Sequence, residues 1–255
     1  MSILFNNINN QISDISQAPL IKMCGFTRPV DIKVAIQNNV NAIGLVFYKP
    51  SSRYVSLEQA YLLTKQIPKH IQIVGLFVNE SIENILEISK NVNIDMFQFH
   101  GDIEYETPEY CKNIGKILNK PYIKAIGVKA GIDKSTNSDF IRDVYNKYIN
   151  YENNNLFSGL LLDTKTSTYG GSGQSFDWEI IPKELLIKRD IPIIISGGIN
   201  LDNLDLALSL NPYAVDLSSA IENDIKGIKD ENKIKQIMQI IKNKRQNIAE
   251  IHDKL

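Results

Sequence analysis

The chain has 255 residues, 43% of them hydrophobic and 22% charged, with a formal net charge of -1. That length accommodates one large α/β domain, and the near-neutral charge offers no global field for nucleic acid or an anionic membrane. Two cysteines, Cys24 and Cys111, with no CxxC pair and no His/Cys cluster, argue against a disulfide framework or a zinc site. No apolar run approaches the ~20 residues that cross a bilayer. The opening MSILFNNINNQISDISQ lacks the basic and long apolar regions of a signal peptide. The expectation is a cytoplasmic protein without metal or membrane partner, with residues 1–19 forming a polar N-terminal extension.

From residue 20 onward, short β-type runs alternate with amphipathic helical stretches. The runs are Leu20–Cys24, Ala42–Phe47, Ile71–Val78, Ile94–Phe99, Tyr122–Gly127, Leu156–Leu162, Ile191–Ser196 and Ala214–Leu217. Between them apolar residues recur at helical spacing, as in Val30, Val34, Ile36 and Val40, or Ile82, Ile85, Leu86 and Ile88. The β-type runs are almost continuously hydrophobic, as strands are when helices cover both faces of a parallel sheet. Eight β/α units in succession, with right-handed crossovers, close most naturally into a single (β/α)₈ TIM barrel spanning 1–255. An open doubly wound sheet is the alternative, weakened by the lack of GxGxxG after the first strand. Residues 128–155 break the rhythm and read as an insertion carrying a helix over Asp139–Tyr151. Glu231–Leu255 reads as a long Lys-rich amphipathic helix whose charges form a solvated face.

In such a barrel the chemistry sits on the loops that follow the strands. Strand 1 ends in Cys24-Gly25-Phe26-Thr27-Arg28. A cysteine is most often a small buried hydrophobe, but a strand tip followed at once by glycine favours a reactive thiol. Cys111, inside the helical stretch Glu104–Ile114, is read as structural. The loop after strand 2 carries Arg53, either a surface charge or a planar fork for a carboxylate. Strand 4 ends in His100, which suits either a general acid or base or a structural hydrogen-bonder, the second being slightly favoured.

The stretch Leu160–Trp178, LLLDTKTSTYGGSGQSFDW, is the most informative. A buried run delivers the carboxylate of Asp163, then comes a glycine-rich loop with Gly171, Ser172 and Gly173, then a helix start at Phe176. Strand 7 ends in Ser196-Gly197-Gly198 and strand 8 in Asp216-Leu217-Ser218-Ser219. Glycines let backbone N–H groups close on an anion, serines add hydroxyl donors, and loops 7 and 8 often hold phosphate.

These segments, taken in order, resemble the phosphoribosylanthranilate isomerase family of tryptophan biosynthesis. The matching pieces are Lys22-Met23-Cys24-Gly25-Phe26-Thr27-Arg28 with Asp31, Gly44–Phe47 with Ser52-Arg53-Tyr54-Val55, Val74–Asn79 and Gln98–Asp102. They continue with Leu162-Asp163-Thr164, Gly170–Gly173, Phe176-Asp177-Trp178, Gly197-Gly198, and Val215–Ser219 with Glu222. The resemblance implies a cofactor-free Amadori rearrangement of a phosphorylated small-molecule substrate, by a monomer or homodimer with no nucleic-acid partner. It makes Cys24 the general base, Asp163 the general acid and Arg53 the holder of the anthranilate carboxylate. Phosphate would rest on Gly171, Ser172, Gly173, Gly197, Gly198, Ser218 and Ser219. Ser52 stands where the family usually has proline, and Ala220 where it usually has glycine. The rival readings are another phosphate-binding barrel enzyme of tryptophan or histidine biosynthesis, and a non-catalytic barrel that only binds a phosphorylated ligand.

Overall fold

The computed structural model describes residues 19–151, 154–165, 175–188 and 191–252. Eight parallel strands close into a barrel in strict sequence order. They are β1 (Leu20–Cys24), β2 (Ala42–Val46), β3 (Gln72–Phe77), β4 (Met96–Phe99), β5 (Tyr122–Val128), β6 (Phe157–Thr164), β7 (Ile193–Ile195) and β8 (Ala214–Leu217). The ring closes where β1 pairs with β8, with Lys22 opposite Asp216.

Side-chain alternation along these strands builds two layers. Ala42, Val74, Met96, Ile123, Ala125, Leu161, Ile194 and Ala214 pack together, with Leu20 against them. Residues from all eight strands can meet only inside the ring, so this cluster is the plug of the barrel. The intervening residues, such as Ile21, Ile43, Phe97, Tyr122 and Leu160, point outward into a much larger core shared with the helices. Near the C-terminal ends of the strands the interior changes character: Cys24, Val46, Leu76 and Val78 form a small separate cluster. Interior side chains are thus apolar at the bottom and chemically varied at the top.

The helices are α1 (Pro29–Gln37), α2 (Leu57–Thr64), α3 (Ile82–Asn91), α4 (Pro108–Leu118), α5 (Lys134–Ile149), α6 (Lys183–Lys188), α7 (Leu204–Ser209) and α8 (Glu231–His252). Their starts follow local chemistry. Ser56 and Gln59 form a capping box on α2, Ser81 caps α3, and Thr107 caps α4 ahead of Pro108. Among the described residues no helix is long and apolar enough to cross a membrane.

Several boundaries differ from the sequence reading. The strand β6 runs two residues further than the apolar run, because Asp163 and Thr164 stay in register with Gly127 and Val128 of β5. The fifth helix starts at Lys134, not Asp139, because the Asp133 side chain accepts a hydrogen bond from Thr136 N and fixes the first turn there. Residues 134–149 are the crossover helix between β5 and β6, with Ile141, Val144, Tyr145 and Tyr148 buried against the barrel. At the expected start near Phe176 the chain forms only a 3₁₀ turn, Trp178–Ile180, and α6 follows Pro182. Residues 1–18 of the expected extension lie outside the described residues.

Candidate active site

Cys24 reaches the barrel mouth because it ends β1 on the inward-facing side, two residues above Lys22. Its neighbour across the sheet is Gly44 of β2. A Cβ at Gly44 would lie 2.6 Å from the Cys24 sulfur, so only glycine leaves the thiol its place. Beneath it, Lys22 Nζ donates to Asp216 Oδ2 at 2.7 Å, and both side chains are buried. Burial would lower the Lys22 value, but Asp216 and Cys24 hold it above that of an ordinary lysine. For Cys24 burial dominates and pushes the thiol up, while Lys22 is the largest opposing influence.

Asp163 stands on β6, three strands around the ring from β1. It is 6% exposed, so the carboxylate belongs to the interior of the mouth rather than to solvent. Its Oδ1 accepts from Thr164 N at 2.8 Å, and its Oδ2 lies 3.2 Å from His100 Nε2. His100 Nδ1 in turn sits 3.0 Å from Gln98 Nε2. A neutral imidazole has one ring proton for two contacts. With Gln98 donating to Nδ1, Nε2–H donates to an ionised Asp163; in the other tautomer Nε2 accepts from a protonated one. His100 is thus a hydrogen-bonder, as favoured from the sequence, and its partner is Asp163.

Arg53, expected to offer its whole fork to a ligand, is 7% exposed and already engaged. Its Nε and Nη2 donate to the two oxygens of Glu222 at 2.7 and 2.6 Å. That ion pair leaves Nη1 outside the contact with Glu222, and Arg53 borders the cavity at the mouth. Glu222 Oε1 also accepts from Lys229 Nζ and Gly227 N, each at 3.0 Å. Burial raises the Glu222 carboxyl, but Arg53 and Lys229 outweigh it and hold the group below the usual glutamate range. Gly25, with φ +80°, makes room for Arg53: a Cβ there would overlap the Arg53 Cδ.

Cys24, Arg53, Gln98, His100, Asp163 and Asp216 all line one cavity of about 50 Å³. The acceptors Gln98 Oε1 and Asp216 Oδ1 are buried without a hydrogen-bond partner among the described residues. Next to it, Gly197, Gly198, Ser218 and Ser219 border a smaller cleft that also reaches Asp163. Gly197, at φ +79°, lets β7 and β6 approach, since a Cβ would lie 2.5 Å from Thr164 N. On the far side of Asp163 a cavity of about 420 Å³ opens between the loops after β4, β5 and β6, bordered by Lys129, Phe140 and Lys165. Gly171, Ser172 and Gly173, expected in the phosphate cradle, lie outside the described residues.

Sequence reasoning missed Lys22, Gln98, Asp216 and Lys229 as parts of this site. Lys22 and Asp216 carried a signal, since a charge inside an apolar β-run must be paired when buried. Lys229 carried none: it is fully buried, donates to the Cys24 carbonyl at 2.7 Å, and comes from a loop 205 residues away. Among the described residues no group of His, Cys, Asp and Glu is arranged to hold a metal ion.

An eight-stranded parallel barrel with a buried thiol, a buried carboxylate and a glycine–serine cleft at its mouth defines an enzyme of the phosphate-binding (β/α)₈ class. A family model for N-(5'-phosphoribosyl)anthranilate isomerase matches residues 21–240. The chain is 39% identical over 228 residues to the isomerase of that name from Herminiimonas arsenicoxydans, covering 87% of this chain and 92% of that one. The crystal structure of phosphoribosyl anthranilate isomerase from Thermotoga maritima superposes with a TM-score of 0.71 at 34% identity, covering 88% of this chain and 99% of that one. Another structure of such an isomerase, in complex with reduced 1-(o-carboxyphenylamino)-1-deoxyribulose 5-phosphate, gives a TM-score of 0.68 at 31% identity, with the same coverages of 88% and 99%. The chain belongs to the N-(5'-phosphoribosyl)anthranilate isomerase family.

Proposed function

We propose that this isomerase rearranges N-(5-phosphoribosyl)anthranilate to 1-(2-carboxyphenylamino)-1-deoxyribulose 5-phosphate without a cofactor, with Asp163 as acid and Cys24 as base. The observation that carries the reading is the shared cavity: thiol, carboxylate, guanidinium and imidazole converge on one small space.

The proton balance assigns the roles. Asp163 gives its proton to the furanose ring oxygen as the C1′–O bond breaks and the nitrogen lone pair forms an iminium. Cys24, as thiolate, takes the C2′ proton, and that electron pair becomes the C1′=C2′ bond of a neutral enolamine. The enolamine then tautomerises, C1′ gaining a proton and the C2′ hydroxyl losing one, to give the ketone. Each turnover leaves Asp163 ionised and Cys24 protonated, so the site is reset when a proton passes from thiol to carboxylate through water. His100 suits both ends of that cycle, because its two tautomers match the two states of Asp163.

The side of Arg53 left open by Glu222 takes the anthranilate carboxylate. The phosphate rests on Gly171, Ser172 and Gly173 together with Gly197, Gly198, Ser218 and Ser219, where glycine backbone and serine hydroxyls supply donors. The reaction is a step of tryptophan biosynthesis, and a working thiol suits the reducing cytoplasm. The test is the decay of phosphoribosylanthranilate fluorescence, with substrate generated in situ and purified protein added. Decay proportional to protein concentration supports the reading, and no decay above the buffer rate refutes it.

A further inference from the structure

The thiol has a partner that the acid–base scheme leaves unused. Strand periodicity puts Lys22 on the same inward face as Cys24, one step deeper in the barrel. The register of β1 and β8 puts Asp216 directly opposite Lys22. Lys22 is fully buried inside the β-ring, where a barrel of this kind normally places a branched aliphatic side chain. It donates to Asp216 Oδ2 at 2.7 Å, and Asp216 borders the same cavity as Cys24. The Asp216 Oδ1 has no partner among the described residues, so this carboxylate is directed to Lys22 through a single oxygen.

We propose that Lys22, anchored on Asp216, is the positioning residue that supplies the counter-charge of the Cys24 thiolate. The proposal rests on Cys24 being the base. An ammonium beside a buried sulfur stabilises its anion, while the carboxylate behind that ammonium works in the opposite sense. The groups facing Cys24 can be counted. Lys22 comes from β1, Asp216 from β8 and Lys229 from the connection after β8. His100 and Asp163 line the same cavity from the β4 and β6 sides, Tyr48 and Arg53 line it from the loop after β2, and Gly44 of β2 contributes no side chain. Lys229 is also near but is committed to Glu222 and to two main-chain carbonyls, of Cys24 and Ser218. Of the two cations Lys22 acts on the thiol more strongly, and it is held by Asp216, which lines the same cavity as Cys24.

A merely structural lysine and a thiolate counter-charge differ in one readout, the titration of the thiol. The experiment measures the rate of Cys24 alkylation by iodoacetamide against pH, in a Cys111→Ala background so that a single thiol reacts. Lys22→Met should raise the midpoint by at least about one pH unit, the lower end of the effect of an adjacent charge. Asp216→Asn should lower it, because the ammonium then faces the sulfur without its competitor. Since either change leaves a buried charge alone, the neutral pair Lys22→Met/Asp216→Asn guards against loss of folding. Its midpoint should also rise, because Lys22 outweighs Asp216 at the thiol. In turnover, kcat of Lys22→Met should fall while KM holds. An unmoved midpoint in folded Lys22→Met or in the double variant overturns the proposal, as does an upward shift in Asp216→Asn. Alkylation does not depend on turnover, so it reads Lys22 even if Cys24→Ala proves active and the base assignment fails.

Discussion

Replacing Gly44 with alanine puts a methyl group where the thiol now sits. A Cβ on Gly44 lies 2.6 Å from Cys24 Sγ and 3.1 Å from both Cys24 Cα and Cβ. Comfortable contact between such atoms needs about 3.5–4.0 Å, so the sulfur must retreat by about 1 Å. The backbone cannot easily yield, because Gly44 O accepts from Gly25 N at 2.9 Å and from Phe26 N at 3.3 Å. Overpacking of this kind costs about 1–3 kcal/mol of stability. A catalytic group displaced by about 1 Å costs on the order of 10²-fold in rate. The expected result for Gly44→Ala is therefore a fall of about 10²-fold in kcat with a folded protein and a modest change in KM. Steady-state fluorescence kinetics measure the first, and urea unfolding measures the second. A variant that keeps kcat within about twofold of the parent would refute the claim that the position of the thiol limits the rate.

Glu222→Gln removes the charge that orients Arg53 and should raise KM more than it lowers kcat; an unchanged KM would separate Arg53 from substrate binding. The same carboxyl lies below its ordinary value in the folded protein. Its stabilisation is therefore present above the unfolded glutamate value and is lost as pH falls through the folded one. Urea titrations at descending pH should show a smaller acid loss in Glu222→Gln than in the parent, and equal slopes would contradict this. Because burial raises the Cys24 thiol, kcat should climb with pH through the neutral range and beyond, as the base must be unprotonated. A profile flat from neutral to alkaline pH would contradict a thiolate base. Glu106→Gln breaks the fully buried pair with Lys124, whose Nζ lies 2.5 Å from Glu106 Oε2. Removing one member of such a pair costs roughly 3–5 kcal/mol, measurable as a lower urea midpoint, and a change of under about 1 kcal/mol would show the pair to be idle. Activity should fall as well, because Glu106 also accepts from Gly101 N at 2.7 Å and so holds the loop that presents His100.

What the sequence reveals and what it hides divide along physical lines. The eight strands are legible because each is an apolar run bounded by turn chemistry, and Cys24 and Asp163 stand out as polar groups that end such runs. Caps are legible only when searched for: Asp133 and Thr107 set helix starts that hydrophobic spacing placed several residues away. Partnerships across the barrel are not legible. Arg53 meets Glu222 at a separation of 169 residues, and Lys22 meets Asp216 at 194. Neither pairing leaves a local pattern, because closure of the ring is what brings the residues together. His100 shows the same limit: its identity is plain, but its meaning depends on an aspartate two strands away around the ring.

The most direct test of the account is the steady-state comparison of Cys24→Ala and Asp163→Asn with the parent protein on phosphoribosylanthranilate. Each should lower kcat by at least ~10²-fold while KM stays near the parent value, as expected when a proton-transfer group is removed and binding is left in place. Near-parent turnover by either variant would contradict the division of labour between thiol and carboxylate.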